Sequence, residues 1–278
     1  MGIDQVVANE LNQDFGYVRS DLSTAYNRYG DQTDTPNRKL EFFYRNFLYI
    51  RASNTFVVYD QVQAKPSSNL RGSYKKHIRW HLPNRPVITG KAARLDYGQS
   101  RLFIDAVLPA NANLAVVDEW KNPDPCDGSV AGCVPFGANA ATFRIEVSDP
   151  QNPLFIPFLT VLQPGSNTST PPSNTQVSSL DGKMIGVQSA QSIALFNNQP
   201  GQVPAAITST SYNFSGSEAA SHVLMGVVPG ARYSVVLTGG VVHVDQSATG
   251  NKTASPAGVL YFTLSSSSPP SRRRAVRH

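Results

Sequence analysis

The chain has 278 residues, of which 40% are hydrophobic and 15% are charged. This length and apolar content support a folded core, and the low charged fraction excludes a disordered or nucleic-acid-coating protein. The formal net charge is +5, but four arginines (Arg272, Arg273, Arg274 and Arg277) lie within the last eight residues. Without them, 20 Lys and Arg stand against 19 Asp and Glu, a net charge of +1. The body is therefore close to neutral, and its overall charge indicates no polyanion-binding surface and no nucleic-acid partner.

The N-terminus and the hydropathy pattern indicate neither a signal peptide nor a membrane span. No segment approaches the roughly 18–20 apolar residues that a spanning helix needs. Residues 1–7 lack a basic region followed by an apolar core, so a signal peptide is not predicted. Because strand-like sequence begins almost at once, at Phe15, we expect that an upstream partner domain has been lost or was never present.

Helical periodicity is nearly absent, and the chain is predicted to be all-β. Short helical pieces are predicted at 3–11 and 21–26, where Asp21 would cap the turn. The remaining pattern alternates apolar and polar residues between Gly, Pro, Ser and Asn breaks, which is typical of antiparallel strands. The predicted strands before residue 165 are 44–51, 55–62, 75–82, 101–108, 141–147 and 155–162. Those after residue 175 are 183–187, 192–196, 222–228, 233–237, 241–244 and 258–264. This pattern predicts a large sandwich of two stacked sheets, alone or with a smaller C-terminal β subdomain.

Composition divides the chain into four stretches. Residues 1–164 would form the main sheets, and the Ser-, Pro- and Asn-rich stretch 165–176 a loop or linker. Residues 177–264 would complete the sandwich or form a small β subdomain, and the basic tail 265–278 would be disordered.

The only cysteines, Cys126 and Cys133, lie in a loop rich in Pro, Gly and Asp. Their closeness predicts a local disulfide, because no histidine or further cysteine flanks them to complete a metal site. The alternative is a pair of reduced surface thiols.

Ionisable residues occupy apolar phases in the first strands. Asp60 shares a strand face with Phe56 and Val58, where an unpaired carboxylate would be costly. Arg45 shares a face of the preceding strand with Phe43 and Phe47. The simplest explanation is an Arg45–Asp60 pair across adjacent strands; the alternative is that Asp60 is a metal ligand or another site residue.

The next strand places His77, Arg79 and His81 on one face. The two histidines are four residues apart, roughly 13 Å in an extended strand, so they cannot both bind one zinc ion directly. With Lys75 at its start, this face suits carboxylate or sulfate groups of a sugar chain. A solvated strand face without a ligand is the alternative.

The order of several segments resembles the C-terminal β-sandwich of heparinase II/III-type polysaccharide lyases. The resemblance spans roughly residues 10–265; its motifs are loose, and their order gives it weight. The segments are Asp21–Tyr26, Tyr44–Arg51, Phe56–Asp60, Ile78–Leu82, Arg101–Phe103 with Leu108–Pro109, Phe158–Leu162 and Ala257–Phe262.

The resemblance implies how such a chain would act. Full enzymes of this family join an α/α-toroid to the sandwich and cleave uronic-acid-containing polysaccharides by β-elimination. Most of their catalytic residues lie in the toroid, which we do not expect within these 278 residues, so the resemblance leaves open whether the chain is itself an enzyme. It implies an acidic polysaccharide partner of glycosaminoglycan or alginate type, an α/α-toroid domain or subunit, and an extracellular or periplasmic location.

The resemblance also implies site residues. β-Elimination needs a base, an acid and a group that neutralises the uronate carboxyl. His77, His81, Tyr44 and Tyr59 are of suitable type for catalysis. Lys75 and Arg79 are expected to bind substrate.

Some family members hold a structural zinc through two histidines and an aspartate. Asp60 and His81 match two of these ligands. The first histidine has no equivalent, because residues 1–20 contain none, so the predicted zinc site is incomplete.

Two other functions stay open. In the first, the chain is a non-catalytic carbohydrate-binding or structural β-sandwich. In the second, it is an interaction module whose basic tail docks to an anionic partner.

Overall fold

The computed structural model describes residues 5–26, 39–66, 74–118, 143–201, 203–214, 216 and 220–264. This part of the chain forms twenty β-strands and no helix, which confirms the all-β fold class. Cys126, Cys133 and the basic tail lie outside the described residues. In the part that the structure describes, no helix is long and apolar enough to cross a membrane.

The first eleven strands precede residue 167. They are β1 (Gln5–Leu11), β2 (Phe15–Asp21), β3 (Leu40–Ile50), β4 (Thr55–Ala64), β5 (His77–Leu82), β6 (Val87–Thr89), β7 (Ala92–Tyr97), β8 (Ser100–Leu108), β9 (Asn113–Asp118), β10 (Phe143–Ser148) and β11 (Phe155–Ser166). The other nine are β12 (Asn174–Ser178), β13 (Met184–Ser189), β14 (Ser192–Asn197), β15 (Ser209–Asn213), β16 (Ala220–Met225), β17 (Arg232–Thr238), β18 (Val241–Gln246), β19 (Lys252–Thr253) and β20 (Val259–Leu264).

The chain divides into two compact units. The first comprises Met1–Gln176 with Asn198–Ala205, and the second comprises Val177–Asn197 with Ala206–His278. The stretch that composition assigns to a loop or linker begins inside β11 and ends inside β12.

The first unit stacks two antiparallel sheets. An eight-stranded sheet has the order β1-β2-β3-β4-β11-β8-β7-β6, and a three-stranded sheet has the order β5-β10-β9. Alternate residues of β5 and β10, including Ile78 and Ile145, enter one buried cluster with Phe43, Val62 and Phe158 of the larger sheet. Each such side chain contributes about 1.5–3 kcal/mol through burial. The polar residues between them are thereby turned to the outer face of the smaller sheet.

The second unit has its own apolar cluster and two sheets. The five-stranded sheet has the order β12-β13-β14-β16-β20, and the four-stranded sheet has the order β15-β18-β17-β19. β14 and β16 pair in parallel, and the connection between them contains β15, which belongs to the other sheet. Buried Leu195, Leu224, Tyr233 and Val244 pack in one cluster.

The predicted helix at 3–11 is wrong, because residues 5–11 form β1. This strand pairs antiparallel with β2, with Gln5 opposite Asp21. Strand pairing outweighs the weak helical spacing of its apolar residues. The second predicted helical piece is a turn, in which Asp21 Oδ1 accepts a hydrogen bond of 2.9 Å from the Ser23 amide.

Candidate functional site

A pocket of about 430 Å³ lies beside β5, the edge strand of the three-stranded sheet. One wall comes from alternate residues of β3, and the other from β5 and the residues before it. The lining residues are Tyr26, Phe43, Arg45, Lys75, His77, Ile78, Arg79 and His81. Aromatic and cationic side chains thus converge on one concave surface, as expected of a site for a polar ligand with anionic groups.

Arg45 is held in the pocket wall by a buried carboxylate. The β3–β4 register places it opposite Asp60, and its Nε and one terminal nitrogen donate to the two carboxylate oxygens at 2.8 and 2.9 Å. Asp60 is only 1% exposed, whereas Arg45 is 36% exposed. Burial raises the pKa of Asp60, and the hydrogen bonds from Arg45 oppose this rise. Among the described residues, two of the five N–H donors of Arg45 bind Asp60, and three stay available for another acceptor.

A second carboxylate, Glu146, organises the cations on the outer face of β5 and β10. The register places Glu146 opposite Arg79. Arg79 Nε lies 3.1 Å from this carboxylate, Arg144 Nε 2.9 Å and His77 Nδ1 3.5 Å. Desolvation opposes ionisation, but Arg144, Arg79 and His77 together hold the pKa of Glu146 below its usual value. One negative charge therefore positions three cationic or ionisable groups.

The balance of charge around the pocket is positive. Among the described side chains that line the pocket or take part in its ion pairs, four are cationic (Arg45, Lys75, Arg79 and Arg144) and two are carboxylates (Asp60 and Glu146). Two positive charges remain in excess when the histidines are neutral, and protonated histidines would add to them. This local excess contrasts with the nearly neutral body of the chain.

The structure brings together His77, His81, Lys75 and Arg79 but places the two predicted tyrosines elsewhere. Alternation along β3 and β4 turns Tyr44 and Tyr59 to the opposite sheet face from Arg45 and Asp60. Tyr59 has no exposed surface, and its hydroxyl donates to Asn198 Oδ1 at 2.7 Å. Burial raises the pKa of both tyrosines. Neither residue lines the pocket.

Tyr26 and the pocket-facing side of Arg45 are features that sequence reasoning missed. Tyr26 is 54% exposed, and its ring centroid lies 5.2 Å from that of Phe43. Only packing between distant segments brings Tyr26 beside Arg45, and no local pattern encodes that contact. Sequence reasoning assigned Arg45 a structural role, because strand phase reveals its partner but not its remaining donors.

The described residues do not fit the predicted zinc site. Both oxygens of Asp60 accept hydrogen bonds from Arg45, and a guanidinium this close disfavours a second cation. Across the described ranges, no group of three or more His, Cys, Asp or Glu side chains could hold a metal ion. We therefore assign Asp60 the role of positioning Arg45, and we assign His81 to the pocket lining.

Comparison with known proteins gives a structural likeness without a sequence match. No family model and no curated protein matches the chain. Heparan sulfate lyase HepC from Pedobacter heparinus matches with a TM-score of 0.46 and 10% identity, over 72% of this chain and 28% of that chain. A crystal structure of heparinase III matches with a TM-score of 0.45 and 9% identity, over 69% and 26% of the two chains.

The matched structures are of the class that the sequence resembles. The chain spans about a quarter of their length. With TM-scores below 0.5, this likeness carries no argument about the chemistry of this chain. The function must be argued from the pocket itself.

Proposed function

We propose that the chain is the β-sandwich portion of a heparinase II/III-type polysaccharide lyase and binds a uronic-acid-containing polysaccharide in the pocket beside β5. It would support β-elimination together with an α/α-toroid domain or subunit. An extracellular or periplasmic location is part of this proposal, because such polysaccharides occur there.

The observation that carries the proposal is the preorganised Arg45. Asp60 fixes the guanidinium plane before any ligand arrives, so little rotamer freedom is lost on binding. Planar guanidinium groups with free N–H donors match carboxylates and sulfates. Lys75 and Arg79 border the same pocket and would attract further anionic groups of the sugar chain.

The pocket also holds groups of the type that β-elimination uses. A cation that neutralises the uronate carboxyl makes the adjacent C–H easier to deprotonate, and Arg45 is positioned for that task. His77, His81 and Tyr26 are the residues of the pocket that could exchange protons with substrate. The base takes the proton from the carbon next to the carboxyl, and the electron pair left there forms a carbon–carbon double bond to the adjacent carbon. The C–O bond at that adjacent carbon breaks, and an acid protonates the leaving oxygen. The toroid would supply the remaining groups.

The direct test is binding of short uronate oligosaccharides to the full chain and to the double variant Lys75→Gln/Arg79→Gln. Both side chains are exposed, so the variant should fold normally. We expect about a tenfold loss of affinity, because each charged hydrogen bond in a solvated site contributes roughly 0.5–1 kcal/mol. Isothermal titration calorimetry would measure the change.

The matched control is Arg94→Gln, which removes an exposed arginine that pairs with Asp96 outside the pocket. It should leave the affinity unchanged. Equal losses in the control and in the double variant would overturn the proposed site. Mixing the chain with a separately produced toroid, and following the ultraviolet absorbance of unsaturated uronate, would distinguish a lyase portion from a non-catalytic binding module.

A further inference from the structure

An exposed aromatic cluster continues from the pocket along β3. Phe43, Arg45, Phe47 and Tyr49 are alternate residues of one strand and share a sheet face. Phe43 and Arg45 line the pocket, whereas Phe47 is 38% exposed beyond it. Phe56 of β4 pairs with Tyr49. Phe47, Tyr49 and Phe56 form what we call the aromatic cluster.

The rings of the cluster contact one another and form a continuous apolar surface. Tyr49 and Phe56 are stacked with centroids 4.4 Å apart, and Phe47 lies 5.6 Å from Phe56. Val18 of the neighbouring strand pairs with Phe47 and is also 38% exposed. From Arg45 in the pocket wall to Tyr49 the surface runs about 14 Å at roughly 3.4 Å per residue. It is therefore long enough to extend well past the pocket.

Cations border the cluster at both ends. Arg45 precedes it, and the Arg51 guanidinium carbon lies 5.6 Å from the Tyr49 ring centroid at the far end. Beside Arg45, Phe47 and Tyr49, this face carries Gly16, Val18 and Ser20 of β2 and Phe56, Val58 and Asp60 of β4. The one carboxylate among these residues is Asp60, which accepts hydrogen bonds from Arg45. An anionic chain lying here would thus meet the remaining N–H donors of Arg45 at one end, the cation of Arg51 at the other, and no unpaired carboxylate on this face of the three strands between them.

We propose that the aromatic cluster is an extension of the binding site, on which an anionic polysaccharide lies after leaving the pocket. The apolar C–H faces of its sugar rings would contact Phe47 and Phe56, and its anionic groups would approach Arg45 and Arg51. This inference rests on the proposed function, because it requires that the pocket binds the same chain. The combination of alternate apolar contacts with terminal cations favours an extended, ring-containing polyanion over a purely apolar partner.

The test measures the affinity of the full-length chain and of its Phe47→Ser variant for two uronate oligosaccharides. One is a disaccharide, which fits the pocket alone, and the other is a dodecasaccharide. We expect Phe47→Ser to weaken dodecasaccharide binding by about fivefold, as loss of one aromatic contact would, and to leave disaccharide binding unchanged. Phe47→Tyr keeps the ring and should bind both as the parent does. Tyr97→Ser, which removes an aromatic residue that is 61% exposed on β7, is the matched control.

The outcomes separate this inference from the proposed function. If Lys75→Gln/Arg79→Gln weakens both oligosaccharides while Phe47→Ser affects neither, the pocket stands and the extension is overturned. If the parent chain binds neither oligosaccharide, both proposals fail. If Phe47→Ser instead converts a dimer to a monomer in sedimentation, without a change in dodecasaccharide affinity, the cluster is a self-association surface and the extension is overturned.

Discussion

His222 is a buried, neutral histidine in the core of the second unit. It has no exposed surface, its Nδ1 lies 2.8 Å from the Tyr212 hydroxyl, and its ring stacks on Phe262 with centroids 5.0 Å apart. Nε2 has no hydrogen-bond partner among the described residues. Burial lowers the pKa of His222 from 6.5 to about 4, because the charged ring would lose its hydration.

The pKa of His222 predicts acid sensitivity of the fold. Between pH 6.5 and 4 the unfolded chain binds the proton that the folded chain excludes, so stability is full above pH 6.5 and is lost as the pH falls. The loss at pH 4.5 should be about 2–3 kcal/mol. Urea denaturation of His222→Gln should show a smaller difference between pH 7 and 4.5 than the parent chain does. His243→Gln, at an exposed position, should behave as the parent; an unchanged pH dependence in His222→Gln would refute the assignment.

The alternation of apolar and polar residues in the sequence was sufficient to predict which face of the sheet carries several residues of the site. Alternation placed Ile78 and Leu82 on the face opposite to His77, Arg79 and His81, and the structure buries the two apolar residues at 5% and 4% exposure. Glu146 could not be assigned to the same site, because its contact with Arg79 depends on the pairing of β5 with β10 across a long connection. Tyr44 and Tyr59 suit catalysis by residue type only, and residue type does not determine which side of a sheet faces a pocket.

At the scale of elements, the close approach of β13 and β14 in the second unit requires glycine at position 186. Gly186 of β13 pairs with Leu195 of β14, and a Cβ atom at Gly186 would overlap the backbone carbonyl oxygen of Ala194. Backbone cannot move aside without breaking the ladder between the strands.

Gly186→Ala should therefore destabilise the chain by about 3–5 kcal/mol, measured by chemical denaturation. Gly16→Ala is the comparison, since its Cβ would meet the flexible end of Leu11 at 3.2 Å and should cost less than about 1 kcal/mol. Equal destabilisation by the two substitutions would contradict the explanation from strand approach.

Element types were predicted well where alternation was strong, as in β3, β4 and β5. β1 was missed because its apolar residues Val6, Val7 and Leu11 are 58%, 47% and 79% exposed, so no buried face imposes a period of two. The strand exists through its pairing with β2, which a local pattern cannot reveal. The parallel pairing of β14 with β16 likewise depends on a long connection.

At the scale of the whole molecule, the proposed pocket and the basic sequence of the last eight residues should differ in how salt affects binding of a polyanion. Four of the 24 Lys and Arg residues lie within the last eight positions, whereas the pocket combines cations with aromatic and hydrogen-bonding groups. Salt screening weakens attraction between exposed charges strongly, and it weakens attraction to partly buried groups such as Arg45 less.

Deleting Pro269–His278 should weaken binding of a long acidic polysaccharide several-fold at low salt, and by less than about twofold at 0.5 M salt. The ratio of affinities between the parent and Lys75→Gln/Arg79→Gln should be the same with and without the tail. Surface plasmon resonance over a salt series would measure both. If the parent and Lys75→Gln/Arg79→Gln bind with equal affinity once the tail is deleted, the result would support the alternative that the chain is an interaction module.

The segment Asn198–Ala205 has a practical consequence for dissecting the chain. It belongs to the first unit although it follows a strand of the second, and Asn198 accepts the hydrogen bond of the buried Tyr59 hydroxyl. No single cut of the polypeptide therefore separates the two units. A fragment that stops before Asn198 would remove the hydrogen bond between that hydroxyl and Asn198, in the strand that also carries Asp60. Activity or binding lost on such a truncation would report damage to β4, and would not show that the removed residues contact the ligand.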